Sequence, residues 1–318
     1  MKQFISVEDV PDINALVQKA LDFKKDPLQS KALGANKRIG CLFLNPSMRT
    51  RLSTQIAAQN LGMEAIVFNV GNEGWTLEFE EEAIMSGSTV EHVKDMAPIL
   101  GNYFDILAIR TFPSLKNRED DYSELYIKQF IKYAGIPVLS LESATLHPLQ
   151  SLTDLITIKE TWKEARKPKI VLTWAPHVKP LPQCVANSFS QWMTAWGGAD
   201  FVITHPEDYE LNDAFTKGAT ITHHQDEALK DADYVYVKNW STYEDYGKIY
   251  CNDPSWMLTM DKLEGTNNAK VMHCLPVRRN VELSDEVLDS ANSLVTQEAS
   301  NRVWAAQAVL SELLAPIP

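Results

Sequence analysis

The chain is short of cysteine, of basic charge and of long apolar runs, and each shortage closes off a class of function. Its 318 residues hold four cysteines, Cys41, Cys184, Cys251 and Cys274, with no C-x-x-C spacing. That pattern argues against a disulfide scaffold or a zinc site and fits a reducing cytoplasm. Lysine and arginine total 30 against 42 aspartates and glutamates, a formal net charge of -12. Nucleic acid is therefore disfavoured as a partner, since phosphate backbones are bound by basic surfaces, and any anionic ligand must be held by local arginines. No run of about 18 apolar residues occurs and the N-terminal stretch turns acidic, so neither a membrane span nor an export signal is expected. No G-x-G-x-x-G follows a strand and no G-x-x-x-x-G-K-[ST] is present, which removes the dinucleotide and Walker-type fingerprints. What remains is 45% hydrophobic and 23% charged, an ordinary globular composition. The length suggests two domains at roughly 150 residues each.

Short apolar runs alternate with amphipathic segments. Strands are expected at Arg38 to Leu44, Ala65 to Phe68, Asp105 to Ile109 and Pro137 to Leu141, with helices from Ser47, around Glu91 to Leu100 and from Tyr122 to Tyr133. Gln150 to Ala165 reads as a connecting helix. The pattern then restarts with strands at Lys169 to Thr173, Phe201 to Thr204, Tyr234 to Val237 and Val271 to Met272, and a helix near Gln183 to Ala195. Short, fully apolar strands joined by helical crossovers indicate parallel sheets. The expected fold is α/β, with two doubly wound, Rossmann-like domains over 1–149 and 150–298. A last segment, 299–318, carries an amphipathic helix that is a candidate to pack back on the first domain.

In open parallel sheets ligands bind beyond the carboxyl ends of the strands, and polar groups cluster there. The densest is Asn45-Pro46-Ser47-Met48-Arg49-Thr50-Arg51. Pro46 ends a strand, Ser47 is placed as an N-cap, and the free first-turn amides with the helix dipole favour an anion. Arg49 and Arg51 lie roughly 200° apart around a helix axis, so only one of them, here Arg49, faces that ligand. The plain alternative is a capped helix with solvated arginines. Arg110, Glu142, His147, Gln150, Lys238 and His273 to Asn280 also fall after strand ends, although a lone histidine before proline is more often packed than catalytic.

The pattern Ser-x-Arg-Thr-Arg after a buried strand resembles the carbamoyl-phosphate signature of the aspartate and ornithine transcarbamoylases. His147-Pro148-Leu149-Gln150 matches their H-P-x-Q, His273-Cys274-Leu275-Pro276 the H-C-L-P of the ornithine branch, and Glu298 with Asn301-Arg302 their E-x-x-N-R. The D-x-x-x-S-M-G loop with which ordinary ornithine enzymes hold a free α-amino group is missing: Asn239-Trp240-Ser241-Thr242-Tyr243 follows Lys238 instead. Together with Trp75, Trp174 to His177 and Cys274 to Asn280, this resembles the N-acylornithine transcarbamylases.

The resemblance implies the transcarbamoylase architecture, a carbamoyl-phosphate domain followed by an N-acylornithine domain, a homotrimer with active sites shared between subunits, no cofactor and no metal. Ser47, the Met48 backbone, Arg49 and Thr50 would cradle the phosphate, Arg302 would add a cation, and Trp75 would cover carbamoyl phosphate in a neighbouring subunit. Thr50, Arg110 and His147 would donate to the carbamoyl oxygen, where charge accumulates in the transition state. Gln150 and the Leu275 carbonyl would accept from the carbamoyl NH2. Cys274 would orient the attacking amine and not act as a covalent nucleophile, because direct transfer needs none. Glu142, His177, Lys238, Arg278, Cys274 and Leu275 would meet the acylated amino acid.

In acetyl-specific members a glutamate aligns with Val90, and in succinyl-specific members an uncharged residue does. A glutamate there would repel a distal succinyl carboxylate, so Val90 favours N-succinylornithine, with N-acetylornithine as the alternative. Both lie in arginine biosynthesis. Glu282 departs from a lysine found in some acetyl-type members. A non-catalytic sensor of a phosphorylated metabolite remains a different class, against which the retained Arg110, His147 and H-C-L-P segment argue.

Overall fold

The computed structural model describes residues 1–315; the side chain of Asn72 and residues 316–318, the end of the segment assigned to the last helix, lie outside the described residues. The fold is α/β with two compact units. The first comprises 1–114, 119–149 and 302–318, and the second 115–118 and 150–301. Each is built on a five-stranded, wholly parallel sheet.

In the first unit the strand order is β1 (Gln3–Phe4), β7 (Val138–Glu142), β6 (Ile106–Arg110), β2 (Arg38–Phe43) and β3 (Glu64–Asn69). The sheet's interior strands are buried along nearly their whole length, as apolar parallel strands must be. Helices Val93–Tyr103 and Leu125–Tyr133 cover one face, burying Val93, Ala97, Leu100, Ile127 and Phe130 against Leu42, Leu107 and Ile109. Gly101 allows close approach there: a Cβ would stand 2.0 Å from the Ala134 carbonyl oxygen. A two-stranded ribbon of β4 (Leu77–Glu78) and β5 (Glu91–His92) closes the excursion that carries Val90. Val90 itself is outside any helix, its amide bonded to the Thr76 carbonyl.

The second unit has the order β10 (Thr220–Thr222), β9 (Asp200–Thr204), β8 (Lys169–Trp174), β11 (Tyr234–Lys238) and β12 (Lys270–Met272). Trp174, Trp192 and Trp240 are fully buried. Indole N–H groups need acceptors when buried: Trp174 Nε1 donates to the Trp240 carbonyl at 2.9 Å, and Trp240 Nε1 to that of Tyr209 at 2.8 Å. Among the described residues no helix is long and apolar enough to cross a membrane.

Several boundaries differ from the sequence expectation. The stretch expected as one helix from Tyr122 is two, Arg118–Ser123 and Leu125–Tyr133, broken at Glu124 by a left-handed φ of 53°. The connecting helix runs Pro148–Thr161, ending before Ala165. The last helix begins at Val295, not Ala299, and from Arg302 onward belongs to the first unit. Its contacts there are Asn60 Nδ2 to Gln307 Oε1 at 3.0 Å, Gln307 Nε2 to the Pro27 carbonyl at 2.7 Å, and Lys19 to Glu312.

Asp233, 4% exposed, braces the second sheet just before β11. Its carboxylate accepts from Arg166 Nη1 and Nη2 at 2.7 and 2.6 Å, from the Lys169 amide at 2.8 Å and from Asn267 Nδ2 at 2.7 Å. Burial pushes its pKa up, but these donors more than offset that and hold it below the ordinary 3.8. A depressed folded-state pKa means the stabilisation is complete above pH 3.8 and is lost as pH falls through the folded value. Asp233→Ala is expected to cost about 2–3 kcal/mol, since charged hydrogen bonds are lost and the Lys169 amide is left without its acceptor. Thermal or denaturant unfolding at neutral pH measures it, and the deficit should shrink as pH falls below 3.8.

Candidate functional site

The first unit gathers its functional side chains at the carboxyl ends of β2, β6 and β7. After β2 the chain turns through Asn45 and Pro46 into helix Met48–Asn60. Ser47 occupies the N-cap with extended backbone, φ -156° and ψ 116°, yet its hydroxyl makes no capping bond. It donates to Thr50 Oγ1 at 3.0 Å instead. Ser47 is thus at the cap position without performing the cap. With no acidic residue in the first turn, this helix end keeps its affinity for anions.

Thr50 is 1% exposed and its hydroxyl oxygen is a focus of donors: Arg302 Nη2 lies at 2.8 Å and Arg110 Nη1 at 3.4 Å. Arg49 Nε is buried without a hydrogen-bond partner. Arg51 points elsewhere, its charge acting on buried Cys41, whose thiol burial pushes up to about 12. The two arginines of the motif therefore diverge, as helical geometry requires.

Arg110 and Glu142 are the last residues of β6 and β7, one place earlier than expected, and they form a buried ion pair. His147 Nε2 stands 3.3 Å from Glu142 Oε2. Burial foremost, then the Arg302 and Arg110 charges, drive the His147 pKa well below 6.5. The imidazole is therefore neutral at physiological pH and has one N–H. The nearby carboxylate claims it at Nε2, which leaves Nδ1, buried without a partner, as the bare nitrogen. Glu142, expected against the acylated amino acid, is here the joint counter-ion of Arg110 and His147.

Glu124 was not singled out from the sequence. Its Oε1 accepts from the Thr145 amide at 2.7 Å, the Thr145 hydroxyl at 2.6 Å and the Ser143 hydroxyl at 2.6 Å, so it gathers the loop that delivers His147. Trp75 and Val90 are 64% and 57% exposed in their own chain and join none of these contacts. Met48, 70% exposed, offers its backbone and not its side chain to this cluster.

The second unit has its own constellation. Gln150 Nε2 donates to Asp154 Oδ1 at 2.7 Å and Glu298 Oε1 at 3.1 Å, so its amide oxygen is the end that can accept from a ligand. Glu298 Oε2 also accepts the His273 amide at 2.9 Å. Asn301, its motif neighbour, is bonded to Thr157 and Glu160 and is structural.

His273 Nδ1 accepts from the Leu275 amide at 3.0 Å, which leaves Nε2 to donate to Glu282 Oε1 at 3.2 Å. Glu282 Oε2 accepts the Arg278 amide at 2.8 Å. Noted from the sequence only as a departure, Glu282 is 0% exposed and braces the whole His273–Arg278 turn. Against the upward push of burial, the His273 bond, the Lys238 charge and the Arg278 amide hold its pKa at about 2. Leu275 adopts a left-handed φ of 53° and precedes a cis proline.

Burial, reinforced by the Glu298 and Asp154 carboxylates and only partly opposed by Lys238, raises the Cys274 thiol to about 12. A thiol so protonated is a poor nucleophile. Arg278 Nε donates to His177 Nε2 at 3.0 Å, which fixes the His177 Nδ1–H toward the Lys179 carbonyl at 2.8 Å. Lys238, 7% exposed, closes β11. The set combines two cations, a neutral histidine and a protonated thiol.

Comparison with known proteins accounts for both constellations. Residues 2–160 match the family model described as aspartate/ornithine carbamoyltransferase, carbamoyl-P binding domain, and residues 183–313 match its Asp/Orn binding domain. The chain is 47% identical to an N-succinylornithine carbamoyltransferase of Bacteroides fragilis (strain 638R), covering 100% of both chains. It is 33% identical to an N-acetylornithine carbamoyltransferase of Xanthomonas campestris pv. campestris, covering 99% of this chain and 98% of the relative. Among solved structures it superposes with TM-score 0.92 and 34% identity on a glutamate-to-valine mutant of an N-acetyl-L-ornithine transcarbamylase, complexed with carbamyl phosphate and N-succinyl-L-norvaline; 98% of this chain and 100% of that chain are covered. The chain belongs to the aspartate/ornithine carbamoyltransferase family and is a carbamoyltransferase.

Proposed function

We propose that the chain transfers the carbamoyl group of carbamoyl phosphate to the δ-amine of N-succinyl-L-ornithine, giving N-succinyl-L-citrulline and phosphate within arginine biosynthesis. The observation that carries this reading is full-length similarity to an N-succinylornithine enzyme together with Val90 in place of a glutamate. The mutant neighbour supports it chemically: a glutamate-to-valine change accompanies a bound succinyl amino acid there. Removing a carboxylate relieves repulsion of the distal succinyl carboxylate.

In this reading the first unit holds carbamoyl phosphate. The first-turn amides of helix Met48–Asn60, Arg49, Thr50 and Arg302 take the phosphate, with Ser47 setting the Thr50 hydroxyl. Thr50, Arg110 and His147 polarise the carbamoyl oxygen. For His147 to do so, Glu142 must give up the Nε2–H that it holds in the ligand-free arrangement. The second unit supplies the Gln150 amide oxygen and the Leu275 carbonyl for the carbamoyl NH2, and Lys238 and Arg278 for acceptor carboxylates, with His177 orienting Arg278. Cys274 lies against the amine as a neutral thiol.

The acceptor's δ-amine, with an ordinary pKa near 10, must lose a proton before it attacks. Its lone pair bonds to the carbamoyl carbon, the carbon–oxygen bond to phosphate breaks, and the released proton is taken by the departing phosphate. Trp75, exposed in its own chain, is assigned to a neighbouring subunit's carbamoyl phosphate in a homotrimer.

Steady-state assays with carbamoyl phosphate and each of ornithine, N-acetylornithine and N-succinylornithine are expected to give the highest kcat/KM with N-succinylornithine. Turnover confined to free ornithine would sink the N-acyl reading, and a preference for N-acetylornithine would reassign the acyl group. Val90→Glu is expected to lower kcat/KM for the succinyl acceptor by about tenfold or more relative to the acetyl one, roughly the 1–3 kcal/mol with which a pocket discriminates close analogues. An unchanged ratio would remove Val90 from the acyl pocket. For His147, NMR titration of the side chain in the ligand-free enzyme is expected to show a neutral ring at pH 6.5 that protonates only well below it; a midpoint at 6.5 would contradict the charge environment described here.

A further inference from the structure

Away from both constellations, the second unit brings together His205, Glu210 and His223. His205 follows β9, His223 follows β10, and Glu210 lies in the chain between them. Their nearest ligand-type atoms all lie within 4.8 Å of one another. The rings stand edge to face, 5.1 Å between centroids, and His223 Nε2 is 3.7 Å from Glu210 Oε1.

The hydrogen bonds determine which nitrogens point where. His205 Nδ1 faces the Pro206 carbonyl at 2.8 Å, and His223 Nδ1 faces the His205 carbonyl at 3.1 Å. A carbonyl oxygen only accepts, so both Nδ1 atoms carry the proton and both Nε2 atoms present lone pairs. His205 is 1% exposed and its Nε2 has no hydrogen-bond partner. A buried lone pair without a donor is costly, unless something electrophilic meets it. Backbone carbonyls that hold the Nδ1–H of two histidines while their Nε2 atoms converge on a carboxylate are the usual outer support of a metal-binding histidine pair.

We propose that His205, Glu210 and His223 form a binding site for a divalent transition ion of the zinc class. Two imidazoles and one carboxylate favour zinc over magnesium or calcium, which take all-oxygen sites, and three protein ligands leave a fourth position for water. Ligand atoms around a tetrahedral zinc at 2.0–2.1 Å stand about 3.4 Å apart. Closing from the present spread needs only small side-chain rotations of Glu210 and His223, the two exposed members. The cysteine spacing of the sequence argued against zinc, but these ligands involve no cysteine.

The ion would cross-link the ends of β9 and β10 and fix the turn from His205 to Glu210. That turn carries Tyr209, whose carbonyl accepts Trp240 Nε1 and whose hydroxyl accepts the Tyr250 and Cys251 amides at 2.8 and 2.9 Å. The site is therefore structural toward the segment that follows Lys238.

The test is zinc titration of chelator-treated protein against a colorimetric competitor, with His223→Ala, Glu210→Gln and, as a neighbouring control, His224→Ala. The wild type is expected to bind one zinc per chain. His223→Ala should raise the dissociation constant by about tenfold or more, Glu210→Gln by a similar or smaller factor, and His224→Ala should leave it unchanged. Cobalt in place of zinc is expected to give a tetrahedral spectrum without thiolate charge-transfer bands, and zinc to raise the Tm of the wild type but not of His223→Ala. Absence of saturable binding, equal binding by wild type and His223→Ala, equal loss in His224→Ala, or a thiolate band would each overturn the assignment.

Discussion

The constraint on which the first unit depends is an excess of buried positive charge. Arg110 and Arg302 are each under a tenth exposed and both point at the Thr50 hydroxyl, while Arg49 holds an unpartnered Nε beside them in sequence. Glu142 is the carboxylate that the structure shows paired with Arg110. A chain of net charge -12 therefore maintains a locally cationic pocket at one set of strand ends. Isolated buried charge is expensive, and the arrangement tolerates it because Glu142 stands where donors converge. It serves Arg110 and His147 together and keeps the imidazole engaged. Phosphate and a polarised carbamoyl oxygen are the ligands that match such a surplus.

In the second unit the organising groups are carboxylates acting on backbone. Glu282 ties the Arg278 amide to His273, and Glu298 ties the His273 amide to Gln150. The turn from His273 to Arg278, with its left-handed Leu275, is held by these bonds rather than by packing of large side chains. Carboxylates so engaged keep their charge at neutral pH, and the same negative surroundings keep Cys274 a thiol. Charge thus runs opposite in the two units: arginines are in surplus around Thr50, and buried acids surround the thiol.

Much of this was legible in the sequence because the relevant signals are local. Buried parallel strands announce themselves as short apolar runs, and the interior strands β2, β6, β7, β8 and β11 all follow that rule. The edge strands β1 and β10 do not. β1 has two residues, and β10 exposes Thr220 and Ile221, so neither carries an apolar run to detect. The break at Glu124 was invisible for a different reason, since a non-glycine residue with positive φ is a tertiary compromise. Site residues followed the same division. Ser47 to Arg51, His147 and His273 to Pro276 sit in contiguous patterns. Glu124 and Glu282 act on amides remote from any such pattern, and nothing local marks a glutamate as the brace of a distant loop. Val90 and Trp75 touch none of the described clusters in a single chain, so their assignment rests on resemblance.

Ser47 shows how function and stability separate within one turn. Its hydroxyl is positioned to cap helix Met48–Asn60 and instead bonds Thr50. Leaving a helix uncapped costs on the order of 1 kcal/mol, and the empty protein carries that cost continuously. Substitutions that capped this helix more tightly would strengthen the unliganded fold while filling the amides an anion needs. Selection for robustness and selection for turnover therefore pull this position in opposite directions. The modest stability conceded at the end of β2 is what keeps its helix receptive.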